Sequence, residues 1–230
     1  MARRTKEAAE ATRLEILDAA ELCFLRDGVS RATLEQIAAQ AGYTRGAVYW
    51  HFENKLEVLE AVIDRIVLPI FAKLETIGQR VDRPLPALRE FFRDALEEFE
   101  RDRHARNVFE IMRLRCECIE GTKPIFLRHR RLNALALEHI ARAMQHARQL
   151  GQLRPDANPV ACARAIQFLV DGALHEWVFS PGTMTLRRDA MAAIDVLFEG
   201  ITADGAVVVV AERGGTAHPT RSRKTRARQT

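Results

Sequence analysis

The sequence predicts an all-α protein, and three observations support this fold class. Apolar residues recur at the three- and four-residue spacing of helices, and the alternation that is typical of half-buried strands is rare. Only 12 of the 230 residues are glycine and eight are proline, so few positions interrupt a helix. Hydrophobic residues make up 47% of the chain, which is enough for a buried core and excludes a wholly disordered protein.

Three helices are predicted before residue 54. The first extends from about Ala8 to Asp27, where Gly28 ends it. Thr33 and Thr44 are suitable N-caps, and Gln36 completes a capping box with Thr33. The two short helices that follow these caps are predicted at Leu34–Ala41 and Thr44–His51.

Longer helices are predicted after residue 54. Asn54 is a suitable cap for the fourth helix, whose apolar face continues to Ile70, and Pro69 should kink or divide it. A break follows at residues 83–86, and glycine and proline mark the later turns. The remaining helices are predicted at about residues 88–99, 104–119, 124–150, 159–179 and 186–201.

The net charge of the chain does not by itself indicate nucleic-acid binding. Residues 202–230 hold six basic and two acidic residues, which accounts for the whole net charge of +4. This segment is rich in Gly, Thr and Arg and is predicted to be a disordered basic tail. Residues 1–60 carry eight basic against ten acidic residues, so a DNA-binding function has to rest on where individual basic side chains point.

Several classes of protein are not supported by the sequence. Cys23, Cys116, Cys118 and Cys162 form neither a disulfide framework nor a zinc spacing, so we expect reduced thiols in a cytoplasmic protein without metal or cofactor. No apolar run approaches 18 residues, so no membrane span is expected. A catalytic Ser/His/Asp arrangement and a glycine-rich phosphate loop are also absent, so an enzyme is not expected.

Residues 34–53, LEQIAAQAGYTRGAVYWHFE, have the layout of a helix-turn-helix. Gly42 suits the turn because it tolerates a positive φ, and Ala38 is small where the two helices would cross. Ile37, Ala41 and Val48 would bury the inner faces. This arrangement predicts a second helix that enters the major groove of DNA.

The residues around the second helix are the predicted DNA contacts. Thr44 and Arg45 can reach base edges or phosphates, and Arg45 can bind guanine through two hydrogen bonds. Gly46 and Ala47 keep the surface low, whereas Trp50 either packs against the first helix or flanks the groove. The side chains that we expect on phosphates are Thr33, Tyr49, His51 and Lys55.

These residues also carry a family resemblance. The string from Ala8 to Ala61 resembles the N-terminal domain of the TetR family, and TRGAVYWHFENK (44–55) resembles its AcrR-type branch, the repressors of multidrug efflux pumps. MARRTKE (1–7) and FLVDGALHEWVFSPGTMTL (168–186) are similar to the same branch. The resemblance implies about nine helices, a homodimer built from the last two, an effector pocket in the middle of the C-terminal domain, and repression of a palindromic operator that ligand relieves.

The resemblance sets the predicted domains and the remaining candidate residues. The DNA-binding domain is predicted at residues 1–54 and the ligand-binding and dimerisation domain at residues 55–201. Candidate contacts of a small apolar effector are Phe92, Met112, Cys116 and Phe168, with His175 and Glu176 as polar groups. Two apolar rows form either internal core or, as we predict, the dimer seam: Val160, Ile166, Val170, Leu174 and Trp177 on one helix, and Ile194, Leu197 and Phe198 on the other.

Two other functions fit the same residues. A DNA-binding protein without an effector would need only the helix-turn-helix. A regulator of a metabolic operon would sense an acyl or aromatic metabolite in place of a drug, and it needs an apolar pocket of the same kind.

Overall fold

A computed structural model describes residues 2–77 and 82–203 of the chain. Within these ranges it contains nine α-helices and no strand, apart from one isolated bridge between Leu153 and Thr202. The all-α prediction is therefore confirmed. The helices are α1 (Ala2–Asp27), α2 (Leu34–Ala41), α3 (Arg45–His51), α4 (Lys55–Ile77), α5 (Pro84–Arg101), α6 (Arg103–Glu110), α7 (Lys123–Gln149), α8 (Pro159–Phe179) and α9 (Met191–Ile201).

The two short helices begin and end where their local sequence dictates. The Thr33 hydroxyl accepts from the Gln36 backbone N–H at 3.2 Å, and the Gln36 side chain accepts from the Thr33 N–H at 2.9 Å, which forms the predicted capping box. Gly42 ends α2 with a φ of +75°, a conformation that favours glycine. Thr44 caps α3 by accepting from the N–H of Ala47 at 3.2 Å. These interactions set where α2 begins and ends and where α3 begins.

Helix α4 is continuous through Pro69, so of the two predicted outcomes the division of the helix was wrong, and a kink at Pro69 stays a prediction. Proline removes one backbone hydrogen bond and costs about 3 kcal/mol in a helix interior. Buried apolar side chains lie on both sides of it, among them Ile66, Leu74 and Ile77. Their burial keeps the two halves in one helix, which extends from the N-terminal helices into the C-terminal ones.

Three other boundaries differ from the sequence prediction. Helix α1 begins at Ala2, six residues before the predicted start. Helix α5 begins at Pro84. Proline suits the first position of a helix, because the backbone N–H that it lacks has no hydrogen-bond partner within the helix there. Helix α6 ends at Glu110 and continues as a π-helical segment, Ile111–Arg115, so the predicted helix to residue 119 stops short. A second π-helical segment, Leu186–Ala190, leads into α9.

One cluster of buried side chains connects the helices from α1 to α9. Ile16, Ala20 and Phe24 of α1 pack in it together with Val58 and Val62 of α4. Helices α5, α7, α8 and α9 supply most of its C-terminal part. The division at residue 54 remains a prediction, because α4 contributes to the core of both parts. The predicted basic tail lies outside the described residues from residue 204 onward.

Candidate nucleic-acid interface and effector cavity

Helix α3 has one buried side chain, and its other residues are exposed or half-buried. Val48 is fully buried and attaches the helix to the core. Tyr49 is exposed, and Trp50 has 72% of its surface accessible, so the alternative in which Trp50 packs against α1 was wrong. Large exposed aromatic side chains on a short helix are typical of a surface that binds a partner.

Gly46 lies on the same exposed face and leaves the backbone open. A Cβ built on it would meet only the Thr44 hydroxyl, at the ordinary contact distance of 3.9 Å. Gly46 is the second residue of α3, and no neighbour in the fold requires a glycine here. The neighbouring Ala47 is small and half-buried. Few side-chain atoms therefore project from this part of the helix, and another molecule can approach its backbone closely.

Arg45 occupies the first position of α3 and has two partners in the free protein. Its Nη1 lies 3.0 Å from Glu35 Oε1 of α2. Its Nη2 donates to the Tyr49 hydroxyl at 3.2 Å, and the guanidinium carbon lies 5.1 Å from the centre of the Tyr49 ring. The guanidinium is therefore presented at the surface in one orientation.

Thr33 and Thr44 are exposed at the N-termini of α2 and α3. Their hydroxyl oxygens accept the capping hydrogen bonds, which leaves each O–H proton able to donate to an anion. His51 is half-buried, and its ring makes an edge contact with Trp50 at 4.5 Å between centres. Burial, and then the nearby Arg13, lowers the pKa of His51, so its imidazole is neutral at neutral pH. DNA contacts of these residues remain predictions.

Lys55 has a structural role that the sequence did not reveal. Its Nζ donates to the backbone carbonyls of Val29, Ser30 and Ala32 at 2.6, 2.9 and 2.8 Å. An ammonium has three protons, so all its donors are used within the protein. The expected phosphate contact of Lys55 is therefore corrected: the residue attaches the start of α4 to the loop between α1 and α2.

An apolar cavity of about 140 Å³ lies among α4, α5, α6, α7 and α8. Five phenylalanines form much of its wall, and two pairs of them meet edge to face: Phe91 with Phe92 at 5.1 Å, and Phe99 with Phe109 at 5.0 Å. Edge-to-face pairs are a favourable arrangement of aromatic rings. The remaining phenylalanine is Phe71 of α4. The wall therefore favours an aromatic guest.

One side of this cavity is polar and already hydrogen-bonded. Arg113 donates to Asp171 at 3.0 Å, and Asn133 Nδ2 lies 3.1 Å from His129 Nε2. Gln167 donates to the Asn133 carbonyl at 3.1 Å. Burial, and then the charge of Arg113, lowers the pKa of His129, so the ring is neutral and its Nε2 can accept from the amide. These groups can orient a ligand hydroxyl inside an apolar cavity.

A second cavity of about 150 Å³ lies closer to the N-terminal helices. It is lined by Leu59 and Ile63 of α4, the π-helical segment and the start of α7. Met112, Arg113 and His129 line both cavities and form the partition between them.

The structure separates the predicted effector contacts into two groups. Phe92 and Met112 line the first cavity, whereas Cys116 lines the second and has a pKa raised by burial. Phe168 is 67% exposed, and His175 and Glu176 also face solvent, so these three predictions were wrong. Helical spacing alone does not say which face of α8 is internal.

The polar residues of the cavity were missed by the sequence prediction. A usable signal existed in Asp171, which interrupts an apolar run, and in His129 and Asn133, which are four residues apart on one helix face. The full missed set is Arg113, His129, Asn133, Gln167 and Asp171.

The predicted dimer seam largely belongs to the core of the single chain. Side chains that are buried within the chain cannot form the seam as predicted: Ile166, Leu174, Trp177, Ile194 and Phe198. Their helical spacing serves packing on α5, α6 and α7. Val170 and Leu197 are half-buried, whereas Val160 is exposed. Large apolar side chains do face outward elsewhere on these two helices, at Phe168, Phe179 and Val196.

Two family models cover most of the chain. Residues 16–62 match the bacterial regulatory proteins of the tetR family, and residues 83–202 match the C-terminal region of MAATS-type transcriptional repressors. The chain belongs to the TetR family. Within residues 2–77 and 82–203 no helix is long and apolar enough to cross a membrane, and no group of three or more His, Cys, Asp or Glu side chains could hold a metal ion. TetR-family proteins of this type are transcription factors and not enzymes.

Individual relatives agree with this assignment. The HTH-type transcriptional regulator TtgR of Pseudomonas putida is 35% identical over 85% of this chain and 93% of its own. SmeT in its triclosan complex is 41% identical, with a TM-score of 0.79 over 91% of this chain and 99% of SmeT. SmeT is the repressor of the Stenotrophomonas maltophilia multidrug efflux pump SmeDEF. NalD, the secondary repressor of the Pseudomonas aeruginosa pump MexAB-OprM, is 31% identical, with a TM-score of 0.76 over 86% of this chain and 99% of NalD. TetR repressors bind operator DNA and act as dimers.

Proposed function

We propose that this protein represses a multidrug efflux operon and releases its operator when a small aromatic compound occupies the cavity among α4 to α8. The observation that carries the proposal is the combination of an exposed helix α3 with an aromatic cavity among α4 to α8, joined by shared elements. The relatives that are named as efflux repressors support the choice of operon. Because the operator lies in the bacterial chromosome, the protein acts in the cytoplasm.

The size of the cavity explains how occupancy could release DNA. A cavity of about 150 Å³ holds one benzene-sized ring. The first cavity is of that size and is partly open, so a two-ring compound would fill it and press on its wall. Met112, Arg113 and His129 form the part of the wall that separates it from the second cavity. Moving this partition moves the π-helical segment Ile111–Arg115.

The π-helical segment is bonded directly to the DNA-binding part. The Arg115 carbonyl accepts from the backbone N–H of Val29 at 3.0 Å, and Ser30 Oγ donates to Glu117 at 3.2 Å. Val29 and Ser30 are two of the residues whose carbonyls bind Lys55. A shift of the segment therefore moves the loop between α1 and α2. This loop leads directly into α2, the first helix of the helix-turn-helix.

Helix α4 provides the second connection. The helix begins at Lys55, which is hydrogen-bonded to the loop between α1 and α2. Further along, its residues Val67, Ile70 and Leu74 line the cavity. An effector that prefers a different position of α4 shifts the population away from the DNA-binding conformation. In a dimer the two α3 helices would have to lie about 34–36 Å apart to enter successive major grooves.

The proposed dimer surface consists of the outward apolar side chains of α8 and α9. Val160, Phe168, Phe179 and Val196 are exposed in the single chain and would supply the apolar surface that a second copy covers. A two-fold pair doubles the number of base contacts that one short helix can make.

Fluorescence anisotropy tests this function. The labelled probe is a fragment from upstream of the protein's own gene, with a scrambled fragment as control, at one fixed salt concentration. We expect tighter binding of the upstream fragment, and a loss of that binding when triclosan is added. Equal affinity for both fragments would refute sequence-specific repression, and selective binding that is unchanged by triclosan and other two-ring aromatic compounds would refute the effector part.

A further inference from the structure

The DNA-binding part contains an exposed ion pair between Glu35 and Arg45. It joins the first turn of α2 to the first position of α3, at 3.0 Å. Glu35 is 52% exposed and Arg45 is 63% exposed, so neither side chain is needed for the core. The pair therefore lies on the exposed face that we propose as the DNA-binding surface.

The pair keeps Arg45 in one place without holding it strongly. An exposed ion pair changes an equilibrium constant by about five-fold at most. With Glu35 on Nη1 and the Tyr49 hydroxyl on Nη2, two ends of the guanidinium have partners. A competing ligand must therefore replace both partners if Arg45 is to keep its hydrogen bonds.

We propose that Glu35 is a specificity-determining residue. In the free protein it holds the Arg45 guanidinium against Tyr49, and on the operator the two acceptors of a guanine edge take the place of Glu35 and Tyr49 as partners of Arg45. Guanine O6 and N7 match the planar fork of arginine with two hydrogen bonds. A lone phosphate replaces one anion by another and leaves the Glu35 carboxylate beside the negative DNA backbone. Next to a base pair, the released carboxylate can accept from cytosine N4.

This role rests on the proposed function, since it concerns the choice between an operator and other DNA. It predicts that Glu35 weakens binding to non-operator DNA more than binding to the operator. The substitution Glu35→Gln keeps the shape and removes the charge. The Thr33–Gln36 capping box does not include Glu35, so α2 should remain folded, which a circular dichroism melt checks.

The test compares the anisotropy titrations of Glu35→Gln, Arg45→Ala and the double variant on the upstream fragment and the scrambled fragment. We expect Glu35→Gln to bind scrambled DNA about three- to five-fold tighter, as the loss of one exposed ion pair allows. Its salt dependence on scrambled DNA should steepen by about 0.9 in log–log slope, because Arg45 gains one phosphate contact. For Glu35→Gln, binding of the upstream fragment should change by less than about two-fold, since both the wild type and this variant still offer Arg45 to guanine.

Two controls separate this role from a general effect of charge. Glu53→Gln removes another exposed carboxylate of the same domain and should leave the ratio of the two affinities unchanged. In the Arg45→Ala background, Glu35→Gln should give no further gain on scrambled DNA. An equal gain in that background, or scrambled-DNA affinity that Glu35→Gln leaves at the wild-type value, would overturn the role of Glu35.

The same data distinguish this inference from the function on which it rests. A wild-type protein that does not discriminate between the two fragments overturns the proposed repressor function, and the specificity role with it. A selective wild type with an unchanged Glu35→Gln variant overturns the specificity role alone.

Discussion

Replacement of Arg65 by Met should destabilise the protein strongly, because Arg65 neutralises a carboxylate that is almost fully buried. Glu21 of α1 is only 2% exposed, and Arg65 of α4 lies 2.5 Å from it. His104 and Asn107 of α6 also contact this carboxylate, at 3.0 and 2.5 Å. The cluster therefore joins α1 to α4 and α6.

The expected loss follows from the cost of an uncompensated buried charge. Removal of one partner of a buried ion pair costs about 3–5 kcal/mol, and the remaining bonds to Glu21 favour the lower value of about 3 kcal/mol. For a chain of this size, each kcal/mol lowers the melting temperature by about 2–4 °C, so Arg65→Met should melt roughly 6–12 °C below wild type. The measurement is a thermal melt at fixed protein concentration, since dimerisation makes the midpoint concentration-dependent.

Two further variants show whether the charge is the cause. Arg130→Met removes an exposed arginine of α7 and should change the free energy of unfolding by less than about 0.5 kcal/mol. Glu21→Leu combined with Arg65→Met should recover at least half of the loss, because an apolar pair can replace a buried ion pair at little cost. A double variant no more stable than Arg65→Met alone would refute this reasoning.

Three other predictions follow from the site. Trp50→Ala should weaken operator binding by about 1–3 kcal/mol in an anisotropy titration while changing the free energy of unfolding by less than about 0.5 kcal/mol, and a large loss of stability would instead mean that Trp50 is structural. Lys55→Met leaves three carbonyls without a donor and should lower the free energy of unfolding by about 2–3 kcal/mol in urea denaturation, whereas an unchanged midpoint would contradict the structural role. The pKa of His129 is lowered in the folded state, so its contribution to stability is fully present above the unfolded value of about 6.5 and is lost as the pH falls through the window below it. His129→Gln should flatten the stability–pH curve in that window, and a curve parallel to wild type would contradict the assignment.

Local sequence features predicted much of the N-terminal part. The caps at Thr33 and Thr44 and the glycine at position 42 act within a few residues, so their effects can be read without the fold. The exposed position of Trp50 was left open, because it depends on where α1 lies. The partners of Lys55 are between 23 and 26 residues away, and local chemistry could not identify them.

The C-terminal part was predicted less well for the same reason. Its helices were found from their apolar spacing, but an apolar stripe on α8 can face the core, a cavity or another chain. Phe168 and Leu174 illustrate this, since both lie on the apolar helix α8 and only Leu174 is buried. The cluster around Glu21 joins residues more than 40 positions apart, and no short-range sequence pattern predicts it.

The most direct test of the account compares two leucine substitutions on α7 in the presence of triclosan. Ala136 lines the first cavity, whereas Ala134, two residues away, is exposed, so Ala136→Leu fills the cavity and Ala134→Leu is its matched control. The anisotropy titration measures the operator Kd of each variant with and without triclosan. We expect triclosan to raise the Kd of Ala134→Leu by a factor of about 5–150, as for wild type and as is typical of coupled sites, and to leave that of Ala136→Leu nearly unchanged. An Ala136→Leu variant that responds to triclosan as strongly as Ala134→Leu would contradict the claim that this cavity controls the release of DNA.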